Sequence, residues 1–277
     1  MSSKPLTAQA VAAFRKGVWA HYRKEGRHDL PWRKTRNPYR LLVSEVMLQQ
    51  TQVERVIPFY TVFTKQFPTA KQLAEAPLAE VLRTWQGLGY NSRAKHLQAA
   101  AKEIVHGGMP KDAEALERLS GVGPYTARAI AAFAWNEDGI VLETNIRTAV
   151  IHHFFPTRRK VSDDALKRVL AAILPKGRAR EWYSALMDYG AYLKRSGVRV
   201  NARSRHYAKQ SRFTGSSREA RGAILRELAR DAVDKSWASA RLTGLLGEDR
   251  RTQLSAALEA LAREGLVTQK RGRWRLA

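Results

Sequence analysis

The chain has 277 residues, 44% of them hydrophobic, with 49 Lys and Arg against 25 Asp and Glu and no cysteine. That size and apolar content suffice for a globular core, whereas the lack of cysteine excludes disulfides, zinc–thiolate sites, cysteine nucleophiles and cysteine-held iron–sulfur clusters. The formal charge of +24 points to a polyanionic partner, no apolar run approaches the ~20 residues of a membrane span, and without a secretory apolar stretch the expected setting is intracellular, cytoplasmic and nucleoid-associated.

Nearly every segment repeats apolar residues at three- and four-residue spacing, so a mainly α fold is expected. Thr7 to about Lys24 reads as an amphipathic helix, Leu30-Pro31-Trp32 through Pro38 as a loop, and Tyr39 to Phe67 as two helical stretches meeting near Gln50-Thr51-Gln52, with Pro68 ending the pattern. Short helices over 70–75 and 78–84 lead into the turn Gly87-Leu88-Gly89-Tyr90. A longer helix runs from Ser92 to Val105 and stops at Gly107-Gly108-Met109-Pro110. Helices over 112–119, 124–135, 145–155, 162–174 and 179–194, joined by short connections, complete a compact helical body over 1–194.

Residues 195–216 scatter Arg195, Arg199, Arg203, Arg205, Lys209 and Arg212 among small polar residues, and read as a basic linker. From Ser217 a helix runs to Arg230, a second lies near 236–246 and a third spans about 248–264. Val267 to Leu276 alternates around Gly272 like a hairpin. This order predicts a winged helix-turn-helix-like domain over 217–277.

Ser120-Gly121-Val122-Gly123 joins two helices through a turn whose glycines permit positive φ and close backbone approach. Amides at Gly121 and Gly123, ahead of a helix opening at Pro124, suit a phosphate; such a contact is sequence-independent, and an ordinary tight turn is the competing reading. With this turn stand Leu30-Pro31-Trp32, Ser44-Glu45-Val46-Met47-Leu48-Gln49-Gln50-Thr51-Gln52-Val53, Gly87-Leu88-Gly89-Tyr90 with Ser92-Arg93-Ala94, and Met187-Asp188-Tyr189-Gly190. Through these motifs residues 30–195 resemble the helix-hairpin-helix DNA glycosylases, and among them the MutY-type adenine glycosylases most closely.

The resemblance implies a two-lobed helical body that extrudes a base and cuts its N-glycosidic bond. Such chemistry wants two acidic groups in different protonation states. Glu45, beside Val43, Val46, Met47 and Leu48, matches the general acid, its apolar setting favouring the protonated form; a solvated helix-face glutamate is the plain alternative. The family's second carboxylate is an aspartate followed by Gly and Asn, and the matching segment is Leu142-Glu143-Thr144-Asn145. Glu143 is one methylene longer and Thr144 replaces glycine. Glu143 would stabilise the cationic sugar or simply cap its helix, with Asn145 beside it. Tyr125 stands where bifunctional relatives carry a lysine nucleophile, which implies a monofunctional enzyme; it either positions the site or packs.

Extrusion leaves a gap in the duplex that must be filled. Gln49, Gln50 and Thr51 are suited to wedging or reading base edges, with Tyr90, Asn91 and Arg93 as further contacts; Asn91 stands where relatives often have a second aromatic. Arg128 and Arg147 suit phosphate or surface contacts. Members of the family usually carry four cysteines after the Met187 motif, where this chain runs Asn201-Ala202-Arg203-Ser204-Arg205-His206, so Arg203 and Arg205 are expected to meet phosphate directly. On the wing, Lys270, Arg271, Arg273 and Arg275 flank Trp274, a pattern suited to DNA or else to protein contact, while Arg250 and Arg251 open the third helix. No cofactor, no metal and no iron–sulfur cluster are expected, a monovalent cation at the hairpin being the one candidate. The expected partner is double-stranded DNA with a mismatched or damaged base, bound by a monomer. The function implied is a monofunctional glycosylase, adenine first. A thymine or uracil mismatch enzyme and a non-catalytic DNA-binding protein remain open, because the winged pattern replaces the domain with which MutY-type enzymes inspect oxidised guanine.

Overall fold

A computed structural model describes residues 6–205, 212–230 and 236–277. His206, Lys209 and the centre of the 195–216 linker lie outside the described residues. The described chain is mainly helical, as expected, with α1 (Ala8–Glu25), α2 (Pro38–Leu48), α3 (Val53–Gln66), α4 (Ala70–Glu75), α5 (Leu78–Trp85), α6 (Ser92–Gly107) and α7 (Ala113–Glu117). There follow α8 (Pro124–Trp135), α9 (Thr144–Phe154), α10 (Asp163–Ile173), α11 (Ala179–Arg195), α12 (Ser217–Ala229), α13 (Ser239–Thr243) and α14 (Arg251–Arg263), with strands β1 (Trp237–Ala238), β2 (Val267–Lys270) and β3 (Arg273–Leu276).

These elements gather into two compact units, one taking 6–41, 111–117 and 122–205 and the other 42–110, 118–121, 212–230 and 236–277. The helices begin where polar side chains can take orphan amides. Thr7 accepts from the Ala10 amide, Ser162 from Ala165 and Ser216 from Glu219, while Pro124 opens α8 at a position that needs no donor.

In the first unit α1, α8, α9, α10 and α11 surround one apolar core holding Phe14, Val18, Leu166, Leu170, Trp182 and Leu186. Phe14 sets its ring edge-on to Phe154 at 5.1 Å and to Trp182 at 6.3 Å, the favoured aromatic arrangement. The start of the basic linker is tied to this unit, because Val161 and Ser204 form a parallel bridge in which the Val161 amide donates to the Arg203 carbonyl at 2.8 Å.

In the second unit Phe63 of α3 packs edge-on to Trp85 of α5, with ring centres 5.7 Å apart. Gln98 of α6 donates its side-chain amide to the carbonyls of Leu73 and Ala76 at the end of α4. The C-terminal elements belong to this unit. Their antiparallel sheet runs β1-β3-β2, with Trp237 opposite Trp274 and Val267 opposite Leu276, and with α12, α13 and α14 gives the winged-helix order. The hairpin between β2 and β3 turns through Arg271 and Gly272, both at positive φ, 51° and 74°, as a two-residue primed turn requires. One expectation fails here. Residues 236–246 do not form a single helix, since Trp237 and Ala238 pair with β3 and only Ser239–Thr243 is helical; a two-residue strand is too short to leave a period in the sequence.

Candidate functional site

Glu45 lies on α2 with Val43, Ser44, Val46 and Met47 all buried around it, and is itself 5% exposed. A charge is costly in apolar surroundings. Beyond the end of α2 the chain turns sharply. Gln49 and Thr51 are half-buried, and Gln50 is exposed in the left-handed region at φ 56°, a conformation that costs energy for a non-glycine residue and must be enforced by its surroundings.

The enforcing residue is Arg93. Expected from the sequence as a DNA contact, it is 7% exposed. Its guanidinium donates to the carbonyls of Val46 at 2.8 Å, Met47 at 2.9 Å, Gln49 at 2.5 Å and Gly89 at 2.9 Å, and to the Thr51 hydroxyl at 3.2 Å. These include carbonyls a helix end leaves unpaired, and only a guanidinium brings enough donors in a fixed fork to take them together. Burial pulls its pKa down to about 10, so it stays charged at neutral pH. Asn91, also expected at the DNA, is 9% exposed, and its buried Oδ1 has no partner among the described residues.

Glu143 is the N-cap of α9. Its Oε1 accepts the amides of Asn145 and Ile146, both at 2.8 Å, so the longer side chain folds back onto its own helix and the capping reading is realised. Burial pushes its pKa up, against those two amides and the charges of Lys194 and Arg27. Asn145 receives a hydrogen bond on Oδ1 from the Lys194 ammonium at 3.2 Å, and Tyr125 is half-buried, its ring packed against the first unit's core. Glu143, Asn145 and Tyr125 thus belong to the first unit, and Glu45, Gln49, Gln50, Thr51 and Tyr90 to the second.

Two features of α11 fix the segments packed against it, the loop after α1 and the start of α9. Asp188, 2% exposed, accepts the Arg27 amide at 2.9 Å, Arg27 Nε at 2.6 Å, and both Arg33 terminal nitrogens at 2.5 and 2.9 Å. Burial alone would raise its pKa, but Arg33 and then Arg27 hold it below the ordinary value. A carboxylate with a lowered native pKa contributes stability that is present above its unfolded pKa and lost as pH falls through the native one. Asp188→Asn is expected to cost about 3 kcal/mol in urea unfolding at neutral pH, because two partly buried guanidinium groups lose their buried counter-charge, and to flatten the acid side of the stability curve. The second feature is Gly190, at which an added Cβ would sit 1.9 Å from the Asn145 carbonyl oxygen; here α9 and α11 touch backbone to backbone.

The 118–123 turn exposes Gly121, at φ 75°, and Gly123. Its conformation is fixed by Glu103, which accepts both the amide and the hydroxyl of Ser120 at 2.9 and 2.6 Å, while a Cβ at Gly121 would meet that of His96 at 2.7 Å. Arg203 donates to the Pro156 carbonyl and Arg205 is exposed. Arg147 pairs with Asp163 at 2.5 Å instead of facing a phosphate, and Arg250 pairs with Glu219 at 2.7 Å. Lys270, Arg271, Arg273 and Arg275 are exposed around a buried Trp274. Residues 201–205 offer no thiolate, so an iron–sulfur cluster does not fit them; among the described residues no group of three or more His, Asp or Glu is placed to hold a metal. Among the described residues no helix is long and apolar enough to cross a membrane.

The sequence reading did not find Arg27, Arg33, Lys194 or Arg218 (described below). Arg33 follows directly on Leu30-Pro31-Trp32, and Asp188 lies inside a motif that was read, yet no spacing tells that they meet 155 residues apart.

Residues 43–176 match the family model of the HhH-GPD superfamily base excision DNA repair protein. The adenine DNA glycosylase of Mycolicibacterium smegmatis is 34% identical over 91% of this chain and 92% of its own length. That of Buchnera aphidicola subsp. Baizongia pistaciae is 36% identical over 63% of this chain, which spans only half of that protein, and the human adenine DNA glycosylase is 45% identical over 49% of this chain and 27% of its own. Among solved structures a thermostable thymine-DNA glycosylase superposes with a TM-score of 0.59 at 24% identity, covering 68% of this chain and 88% of that one. A non-covalent endonuclease III–DNA complex does so at 0.57 and 21%, covering 68% and 87%.

Proposed function

Since the chain belongs to the HhH-GPD superfamily of base excision DNA repair proteins, we propose that it is a monofunctional DNA glycosylase that hydrolyses the N-glycosidic bond of a mispaired or damaged base, adenine first. The observation that carries this reading is the match to an adenine DNA glycosylase along nine-tenths of both chains. The buried Glu45 supports it from the side of chemistry.

In this reading the Glu45 carboxyl gives its proton to a ring nitrogen of the extruded base. The bond from the base to the sugar C1′ then breaks, and its electron pair leaves with the base. The sugar becomes cationic and is met by the Glu143 carboxylate, pre-aimed by the amides of Asn145 and Ile146, so little reorganisation is needed at the moment of reaction. Water adds to C1′ while the Glu45 carboxylate takes its proton, which leaves free base and an abasic site. Tyr125 has no amine with which to form a Schiff base, so strand cleavage is not part of the cycle. No protein-bound cofactor is required beyond a monovalent cation at the 120–123 turn, and the active species is a monomer on double-stranded DNA. Gly121, Gly123, Arg203, Arg205 and the wing residues Lys270, Arg271 and Arg273 bind phosphate. The proposal also divides the chain into a glycosylase body, 1–194, a basic linker, 195–216, and a winged-helix-like domain, 217–277.

The test is single-turnover incubation with a panel of mismatched and damaged duplexes, followed by alkali to reveal abasic sites. Adenine is the base expected to be released, and the panel identifies the base opposite it. Release of thymine or uracil alone would favour the runner-up, and a borohydride-trapped adduct would overturn the monofunctional reading. Glu143 must be ionised to stabilise the sugar, and burial raises its pKa. The acid limb of the single-turnover rate is therefore expected above the ordinary 4.5 of a glutamate. Lys194→Met, which removes a charge that favours the ionised form, moves that limb further up; an unmoved limb excludes Glu143 as its source.

A further inference from the structure

We infer that the C-terminal module is part of the base-extruding apparatus, with Arg218 of α12 as a positioning residue that holds Tyr90 in place at the DNA. The inference rests on the glycosylase reading above. Tyr90 ends the Gly87-Leu88-Gly89 turn at φ 48°, a left-handed conformation that persists in a tyrosine only where neighbours over-determine it. Two guanidinium groups do so. Arg93 lies 5.6 Å from the ring centre and takes the Tyr90 carbonyl at 3.4 Å. Arg218 donates Nη1 to the Tyr90 hydroxyl at 3.1 Å, with its guanidinium carbon 5.9 Å from the same ring centre.

Arg218 is poorly placed to stabilise its own helix. It lies in the first turn of α12, where the exposed amides favour an acid. The arginine instead spans 128 residues of sequence to reach Tyr90. The helix that carries it is anchored to the same stretch of chain one turn further on. Arg221 of α12 forms two bonds with Glu264 at 2.7 and 2.6 Å, and the Glu264 carbonyl accepts the Lys95 ammonium of α6 at 2.5 Å. Since α6 begins two residues after Tyr90, the path from Tyr90 along α6, through Glu264 and Arg221, to Arg218 and back to Tyr90 closes on itself. The module thereby holds Tyr90 at the end of the turn and the first turn of α6 that follows it, so that a rigid aromatic side chain is presented to the distorted duplex without an ordering cost on binding.

The experiment uses the full chain, with Arg218→Ala, Arg218→Lys, Tyr90→Phe and the Arg218→Ala/Tyr90→Phe double variant. Affinity for a duplex bearing a non-cleavable abasic analogue is read by anisotropy, and base extrusion by the stopped-flow fluorescence of 2-aminopurine beside the target adenine. Loss of one charge-assisted hydrogen bond is expected to weaken binding and slow extrusion about tenfold in Arg218→Ala. Tyr90→Phe should match it, the double variant should be no worse than either single one, and Arg218→Lys should recover most of the loss, all at an unchanged melting temperature. Additive losses, an Arg218→Ala variant equal to wild type, or a loss tracking a fall in melting temperature would each overturn the inference. A wild-type protein that releases no base from any duplex defeats the glycosylase reading instead, while the anisotropy cycle still judges the link between Arg218 and Tyr90.

Discussion

Glu45→Gln is expected to lower the single-turnover rate of base release by about 10²–10⁴, the usual contribution of a positioned proton donor, while leaving affinity for duplex DNA unchanged. Glutamine keeps the shape of the side chain and one oxygen acceptor, so α2, whose neighbouring residues Val43, Val46 and Met47 are 3% exposed or less, has no reason to repack. What is lost is the transferable proton and the base that later activates water. The rate is measured by alkaline cleavage of the abasic product against wild type, and affinity by anisotropy on an uncleaved duplex. Undiminished release would remove Glu45 from the mechanism. Equal losses in rate and in folded fraction would show the burial of Glu45 to be structural.

Much of the helical framework could be read in advance because the core faces carry the 3.6-residue period directly: Val56, Tyr60 and Phe63 line one side of α3, and Ala165, Leu166, Val169, Leu170 and Ile173 one side of α10. The hairpin of the wing was legible for a different reason, since Arg271-Gly272 between alternating residues leaves few other conformations. Charge proved the poorest guide. A basic residue in a DNA-binding motif invites assignment to phosphate, yet Arg93 takes backbone carbonyls and Arg147 pairs with Asp163, because the interior needs donors that composition does not announce. Glu143 was read either as a sugar-stabilising carboxylate or as a helix cap, and which its Oε1 does, folding onto the amides of Asn145 and Ile146, depends on a side-chain conformation with no sequence period. Arg218 escaped notice for the same kind of reason. Ser216 and Glu219 around it form a recognisable cap pair, and nothing local marks the arginine between them as reaching Tyr90.

Gly190→Ala is expected to leave little folded protein. The backbone at Gly190 is helical, and alanine is the better helix former by about 1 kcal/mol, so propensity alone predicts a gain. Packing decides otherwise. The new methyl would lie 1.9 Å from the carbonyl oxygen of Asn145, 2.5 Å from its carbonyl carbon and 3.0 Å from its Cα, all backbone atoms of α9, which no rotamer change can move aside. Relief requires α9 and α11 to separate, and with them the core around Ile146, Val150, Trp182 and Leu186, each essentially inaccessible to solvent. The cost therefore exceeds the about 1–3 kcal/mol of ordinary overpacking and consumes much of the about 5–15 kcal/mol by which a domain is stable. Circular dichroism and urea unfolding of the purified variant provide the measurement. Because Asn145 also carries one of the amides that hold Glu143, any soluble fraction should release base more slowly than its folded fraction predicts, whereas a variant that folds and reacts like wild type would disprove the close approach of α9 and α11.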